Sequence, residues 1–214
     1  MPFTVVSAGE DVPALLWLPE RPQRRRPLVL LGHGGGMHKE SPLIDRLGSW
    51  LAGGHGIACL AIDLPFHGDR TPADEIGLSA LERRHLLGLD GWRERNAGAT
   101  GQAVADWRAA MDGAQDRDRM PHGPIGYFGV SMGTRFGVPL IAAEPRIAVA
   151  VLGLFGVPAA DTESAFARAA VSSDGASAPP TAAAATAAGT RAARSRCPGV
   201  RYYVRRVPSP GLRP

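Results

Sequence analysis

Four short apolar runs that alternate with helical patterns constrain the fold of this chain more than any other feature. Each run is almost free of polar residues, as in strands that are buried on both faces of a sheet. The runs span Pro27–Leu31, Gly56–Ile62, Ile125–Val130 and Ile147–Leu154. Apolar residues at helical spacing lie between them, in Leu43–Leu51, Ala99–Met111 and Met132–Ala143. This alternation predicts an α/β fold, a three-layer α/β/α sandwich with a mostly parallel sheet and right-handed crossovers.

Two further regions extend the pattern. The β-prone runs Phe3–Ser7 and Ala14–Leu18 predict a two-stranded opening. Gly53-Gly54 are expected to end the first helix. The polar stretch Asp69–Gly98, with one helical piece at Leu78–Leu87, predicts a long connection or an excursion over the functional site.

The composition changes near residue 170. The segment Val171–Pro214 contains ten Ala, six Pro and seven Arg but one acid, and it shows no strand–helix alternation. This segment carries a charge of +6 in a chain of net charge +4, so the preceding residues carry −2. A segment of this composition buries little surface. We therefore expect one domain, an α/β core over residues 1–170, and a low-complexity, basic, disordered tail over residues 171–214.

Several classes of protein are excluded by the same totals. The chain has no run of about 18 apolar residues, which predicts no membrane span, and Met1–Glu10 lacks the pattern of a secretory signal. Two cysteines, Cys59 and Cys197, fit neither a disulfide framework nor a metal site and favour the cytoplasm. The tail arginines with Tyr202-Tyr203 could hold phosphate weakly, but a solvated tail is preferred, so no nucleic-acid partner is expected.

The motif Gly129-Val130-Ser131-Met132-Gly133 follows one predicted strand and precedes a predicted helix. A serine on a sharp strand-to-helix turn is lifted into the open, and the strained turn leaves no room for side chains two residues before and after it. Glycines at both positions meet this requirement. The helix N-terminus also favours negative charge that develops beside the hydroxyl. We predict that Ser131 is a nucleophile; the alternative is a glycine-rich turn with a solvated serine.

A glycine loop, His33-Gly34-Gly35-Gly36, follows another predicted strand. Backbone N–H groups of Gly34 and Gly35 can point at an oxyanion, and the N–H of Met132 would be the second donor. A phosphate-binding loop is the competing interpretation, but the Lys-Ser/Thr pair of such loops is missing. His33 is expected to fix the loop through its ring nitrogens rather than to act in catalysis.

A third polar turn, Asp63-x-Pro65-x-His67-Gly68, follows the strand at Gly56–Ile62. Asp63 is expected to cap backbone donors. His67 is interpreted as a hydrogen-bonded turn histidine, with a metal ligand or a base as alternatives. Because parallel strands end at the same edge of a sheet, where such folds place their active sites, the three motifs are expected to converge there.

In this order, Gly32–Gly36, the turn after Asp63 and the Ser131 motif resemble the α/β-hydrolase superfamily over about residues 1–165. The compact layout is most similar to dienelactone hydrolase-type members and small esterases. The resemblance implies an eight-stranded sheet, hydrolysis of small-molecule carboxylic esters or lactones, no cofactor, and a catalytic triad in the order Ser, acid, His. In that mechanism the His accepts the serine proton and the acid orients the His.

The chain departs from this pattern after Ser131. The last histidine is His122, and none of the later acids follows a recognisable later strand; these acids are Glu144, Asp161, Glu163 and Asp174. The sequence therefore predicts a fold truncated by about two C-terminal strands. The explanations are a reading-frame change near codon 170, a partner chain that completes the sheet, or a histidine from elsewhere, such as His67 or His33. The alternatives to an esterase are a catalytically inactive, hydrolase-like binding protein and a frameshifted product.

Overall fold

A computed structural model describes residues 1–20, 27–115 and 123–153, together with the backbone of residues 191–194 and 201–206. Its centre is a mixed sheet. The strands are β1 (Pro2–Ser7), β2 (Glu10–Trp17), β3 (Leu28–Gly32), β4 (Ala58–Ile62), β5 (Ile125–Val130), β6 (Ile147–Gly153), β7 (Arg191–Arg194) and β8 (Arg201–Arg206). Their order across the sheet is β1-β2-β4-β3-β5-β6-β8-β7.

The predicted parallel strands form the middle of this sheet. β3 pairs in parallel with β4 and with β5, and β5 pairs in parallel with β6. β1 and β2 form the predicted two-stranded opening; they pair antiparallel with each other, and β2 pairs antiparallel with β4. Because β3, β4 and β5 run in the same direction, the loops that follow them leave the sheet at one edge.

Helices cover both faces of the sheet. On one face, Ile44 of α1 (Pro42–His55) packs with Leu31, Cys59 and Ala61. On the other face, α2 (Ala80–Gln115) and α3 (Met132–Ala143) enclose the larger core, which includes the fully buried Trp107. None of these three helices is long and apolar enough to cross a membrane. The α/β class and the three-layer arrangement predicted from the sequence are confirmed.

Two helices extend further than the sequence predicted. α1 continues through Gly53 and Gly54 and ends at His55, because left-handed Gly56 (φ 61°) closes it with a hydrogen bond from its N–H to the Leu51 carbonyl. The predicted helical pieces Leu78–Leu87 and Ala99–Met111 fall in one helical stretch, α2, which begins two residues later than predicted, at Ala80. This stretch is interrupted at Gly88, whose φ of 68° and ψ of 175° are not helical.

Beyond β6, the sheet continues with two antiparallel strands, β8 and β7. β8 pairs antiparallel with β6, and β7 pairs antiparallel with β8. A crossover helix would instead have placed a parallel strand beside β6. β6 is therefore the last parallel strand in the described part of the chain, in agreement with the predicted truncation. The proposed division at residue 170, and the predicted disorder of the rest of 171–214, lie outside the described residues.

Candidate active site

The three polar turns that the sequence predicts do converge at one edge of the sheet. Parallel register places Gly32, the last residue of β3, beside Gly129 near the end of β5. A Cβ atom on Gly34 would lie 3.8 Å from the Cβ of Ser131. The rings of His33 and His67 lie 5.7 Å apart, between centroids. We call residues 33–39 the glycine loop and residues 63–69 the Asp63 turn.

Ser131 connects β5 to α3 through a strained backbone. Its φ of 52° and ψ of −109° are unfavourable for a residue with a side chain. Its N–H donates to the Gly153 carbonyl at 2.9 Å, and its own carbonyl accepts from the Arg135 N–H at 3.1 Å. The residue is exposed. Neighbouring elements thus hold both backbone groups, so the strained conformation is fixed at an exposed position.

Close backbone contacts require glycine on both sides of this serine. A Cβ atom on Gly133 would lie 2.2 Å from the carbonyl oxygen of Gly32. A Cβ atom on Gly129 would lie 2.8 Å from the carbonyl group of Gly133. Both distances are far shorter than a van der Waals contact, and in each case the obstructing group is backbone, which cannot rotate away. The clash predicted two residues before and after Ser131 is therefore present.

Two side chains that the sequence analysis did not single out hold the start of α3. The buried Tyr127 donates from its hydroxyl to the Gly133 carbonyl at 2.6 Å, and burial raises the pKa of this phenol. Thr134 Oγ1 lies 2.9 Å from the carbonyl oxygens of Gly129 and Gly153, and it accepts from the Gly153 N–H at 3.2 Å. These contacts join α3 to β5 and β6 directly below Ser131.

The predicted backbone donors belong to two elements next to Ser131, the first turn of α3 and the glycine loop. Met132 is the first residue of α3, so its N–H belongs to the helical turn that has no acceptor within the helix. In the glycine loop, the Gly34 carbonyl accepts from the Met37 N–H at 3.2 Å across a turn with left-handed Gly36, φ 73°. A Cβ atom on Gly35 would meet no atom within 4 Å, so this part of the loop is open.

His33 holds the start of the glycine loop. The Leu64 N–H donates to its Nε2 at 3.1 Å, so the neutral ring carries its proton on Nδ1, which donates to the Gly34 carbonyl at 2.9 Å. Burial lowers the pKa of His33 to about 4, and the hydrogen bond to Gly34 opposes this in part. Since the C=O and N–H of one peptide point in opposite directions, fixing the Gly34 carbonyl also fixes the Gly35 N–H. The predicted structural role of His33 is confirmed.

Asp63 organises the neighbouring turn. Its fully buried carboxylate accepts from the Lys39 N–H at 2.8 Å, the Asp69 N–H at 2.9 Å and the Lys39 ammonium at 2.9 Å. Gly68 is left-handed (φ 58°), and a Cβ atom there would lie 2.3 Å from this carboxylate. The predicted capping role of Asp63 is confirmed. Lys39, the only lysine in the chain, is a partner that the motif analysis missed.

Solved structures contain the same fold, although neither any family model nor any curated protein matches the chain. A PEG-bound cold-adapted esterase from an Arctic intertidal metagenomic library is 40% identical with a TM-score of 0.61, over 80% of this chain and 66% of that one. The chain belongs to the α/β-hydrolase superfamily. A dienelactone hydrolase from Anabaena variabilis has this fold at 22% identity and a TM-score of 0.50, over 70% of this chain and 60% of that one. The α/β-hydrolase described here thus spans about two thirds of the esterase's length.

Glu144 is the one acid after Ser131 that lies within the described residues of this α/β-hydrolase. Glu144 lies at the far end of α3 from Ser131, where its carboxylate accepts from Arg146 Nε at 2.9 Å. It therefore cannot reach the edge that carries the three turns. Asp161, Glu163 and Asp174 lie outside the described residues. Among the described residues, no group of three or more His, Cys, Asp or Glu could hold a metal ion.

His67 is the second histidine at the site of this α/β-hydrolase. Its Nδ1 donates to the Pro65 carbonyl at 2.9 Å, which confirms the predicted hydrogen-bonded turn histidine. Burial lowers the pKa of His67, and the hydrogen bond to Pro65 opposes this in part, so the ring is neutral near pH 7. With its proton on Nδ1, the ring carries a lone pair on Nε2. His67 thus differs from His33, which uses both nitrogens.

Proposed function

We propose that this chain is a serine hydrolase of carboxylic esters or lactones and that Ser131 is its nucleophile. The observation that carries the proposal is the strained, exposed Ser131 at the strand-to-helix turn, with the glycine loop beside it. Such a turn is the nucleophile elbow of α/β-hydrolases. The esterase that is 40% identical supports the same reaction class.

The proposed reaction begins with attack of Ser131 Oγ on the ester carbonyl carbon. The carbonyl oxygen becomes an oxyanion, which the N–H groups of Met132 and of Gly34 or Gly35 would stabilise. Each such donor contributes about 3 kcal/mol to the transition state. The C–O bond to the alcohol then breaks, the alcohol leaves with a proton, and water hydrolyses the acyl-serine. The orientation of the Gly35 N–H, fixed through His33, supports its assignment to this oxyanion hole.

The serine proton needs an acceptor as the Oγ–C bond forms. None of residues 132–214 is a histidine, so the family's usual base has no counterpart among them. Of the two histidines at the site, His33 would have to give up its hydrogen bond from Leu64 to take a proton, whereas His67 would not. We therefore assign the acceptor role to His67. Loss of triad members costs about four to six decades of rate, so acylation is expected to be slow.

A second candidate function is a hydrolase-like binding protein that binds its ligand beside Ser131 without turnover. The observation that favours it is again the lack of a histidine after Ser131, because serine without a base is a poor nucleophile at neutral pH. This candidate predicts binding of esters without a covalent product.

A fluorophosphonate probe separates the two functions. The full chain is first shown to melt cooperatively, and the labelled residue is then identified by peptide mass. Labelling at Ser131 that is lost in Ser131→Ala but kept in Ser49→Ala supports the hydrolase; Ser49 is an exposed serine on α1, on the opposite face of the sheet. If a cooperatively melting sample acquires no label at all, the hydrolase proposal is wrong and the binding protein is favoured.

A further inference from the structure

Lys39 is a buried cation held between two acids. Its side chain is 5% exposed, and its ammonium lies 2.9 Å from Asp63 Oδ2 and 2.6 Å from Asp69 Oδ2. A lysine at this depth is unfavourable unless its charge is paired. Burial alone would lower the pKa of Lys39, but the hydrogen bonds with Asp69 and Asp63 outweigh it and raise the pKa. Lys39 is therefore a permanent cation, and Glu40, at 3.9 Å and half exposed, adds a weaker third contact.

The ion pairs of Lys39 join the glycine loop to the Asp63 turn. Lys39 is the last residue of the glycine loop, while Asp63 and Asp69 are the first and last residues of the Asp63 turn. Asp63 binds both the backbone N–H and the ammonium of Lys39, so main chain and side chain are fixed together. The other end of the loop is anchored on the same turn, where His33 accepts from Leu64.

Between these two anchors the loop is held by its own hydrogen bonds, from His33 Nδ1 and the Met37 N–H to the Gly34 carbonyl. Gly34, Gly35 and Gly36 have no side chains to pack, and glycine is the most flexible residue in the backbone. A Cβ atom on Gly35 or Gly36 would meet no atom within 4 Å. The distance between the loop and Ser131 therefore depends on where its ends are attached.

We propose that Lys39 is a positioning residue for the oxyanion hole: its ion pairs with Asp63 and Asp69 hold the glycine loop where the N–H groups of Gly34 and Gly35 face Ser131. This inference rests on the proposed function of Ser131. The Lys39 ammonium contacts Asp63, Asp69 and Glu40, so in this proposal it acts through the loop. Such a residue affects the transition state, in which the oxyanion exists, more than the binding of the uncharged probe.

The test compares labelling kinetics with local hydrogen exchange. In Lys39→Met, which keeps the length but removes the charge, the maximal rate of fluorophosphonate labelling at Ser131 should fall about ten- to a hundredfold, because small displacements at a reacting centre have effects of this size. The probe concentration for half-maximal rate should change less than about twofold. Amide exchange over residues 34–37 should become faster. Lys39→Arg, which keeps the charge, should recover most of the rate.

Arg146→Met is the matched control. Arg146 also forms ion pairs, with Glu144 at 2.9 Å and Asp112 at 2.6 Å, but at the far end of α3. Its removal should lower the melting temperature without changing the labelling rate or the exchange of residues 34–37. If Lys39→Met does not fold, Asp69→Asn replaces it, since the Lys39–Asp63 pair then remains; a smaller fall in rate is expected.

The outcomes separate this inference from the proposed function. If the wild-type chain takes no label, the hydrolase proposal fails, while faster exchange confined to residues 34–37 in Lys39→Met still supports the anchoring of the loop. A folded Lys39→Met with wild-type labelling rate and wild-type exchange overturns the inference. So does a loss of rate that Lys39→Arg fails to restore, or one that Arg146→Met reproduces.

Discussion

At the scale of single residues, backbone contact decides which glycines the site needs. In Gly133→Ala the new methyl group would meet the Gly32 carbonyl at 2.2 Å, and neither backbone can move without shifting α3 or β3. We expect the free energy of unfolding to fall by about 3 kcal/mol or more, at the upper end of overpacking effects. Gly35→Ala, where 4 Å around the new atom is empty, should unfold at the same urea concentration as wild type. Equal urea midpoints for Gly133→Ala and Gly35→Ala would contradict the close contact between Gly133 and the Gly32 carbonyl.

His33 predicts a pH dependence of stability. Its pKa is about 4 in the folded chain, lowered by burial from a reference of 6.5, so between these values the unfolded state binds a proton that the folded state does not. Stability therefore rises with pH across this window and is lost as the pH falls from 6.5 towards 4, by about 3 kcal/mol in all. His67, with its lowered pKa, adds a contribution of the same sign.

Urea unfolding at several pH values measures this effect. Between pH 4 and 6.5, the free energy of unfolding of His33→Gln should depend less steeply on pH, by the amount that corresponds to one proton. This holds whatever the stability of the variant at pH 7. His85→Gln, at an exposed position of α2, is the matched control for replacing a histidine outside the site. An unaltered slope in His33→Gln would show that this imidazole is not the buried neutral group described.

At the scale of elements, a buried carboxylate in the segment before α2 binds arginines of that helix. Glu75 is 1% exposed, and its two oxygens lie 2.6 and 2.7 Å from Arg95 Nη1. Arg83 lies 3.9 Å away on the other side of Gly88. Glu75 thus contacts both halves of the interrupted helix. Removing one partner of a buried pair leaves the other charge uncompensated, which typically costs 3–5 kcal/mol.

Glu75→Gln should therefore destabilise the chain by about 3 kcal/mol and speed tryptic cleavage after Arg83, Arg84 or Arg93. The matched change is Asp90→Asn on the same helix, which breaks the exposed Asp90–Arg93 pair at 3.5 Å. Exposed pairs contribute less than about 1 kcal/mol, so this variant should melt and digest like wild type. Similar behaviour of the two variants would argue against a clamp at Glu75.

The sequence located those elements whose pattern is contained within a single segment of the chain. β5 and α3 match their predicted bounds because the apolar run and the helical spacing each lie within one segment. The Ser131, glycine-loop and Asp63 motifs were visible for the same reason. Lys39, Tyr127 and Thr134 were not, since each acts through a partner in another turn or strand. Strands β7 and β8 also depend on pairing with a distant partner and leave no periodic pattern of their own.

At the scale of the whole molecule, the β6 edge is where this chain departs from a continued parallel sheet. β8 pairs with β6 from Val149 opposite Arg206 to Leu152 opposite Tyr203, so the backbone of the edge is covered. On β6, Val149 and Val151 are 40% and 38% exposed. An unpaired strand edge next to exposed apolar side chains is a site of association between chains. By covering this edge, β8 is expected to keep the chain monomeric in solution.

Deleting residues 191–214 should expose this edge. We expect the shortened chain to associate at concentrations where the full chain does not, because the N–H and C=O groups of β6 are then free to pair with a second copy. Deletion of residues 207–214 alone, which leaves β7 and β8 in place, is the matched control. Sedimentation velocity over a tenfold or wider range of concentration measures the difference. If both deletions sediment like the full chain, β8 does not protect the edge, and the sheet of this α/β-hydrolase effectively ends at β6.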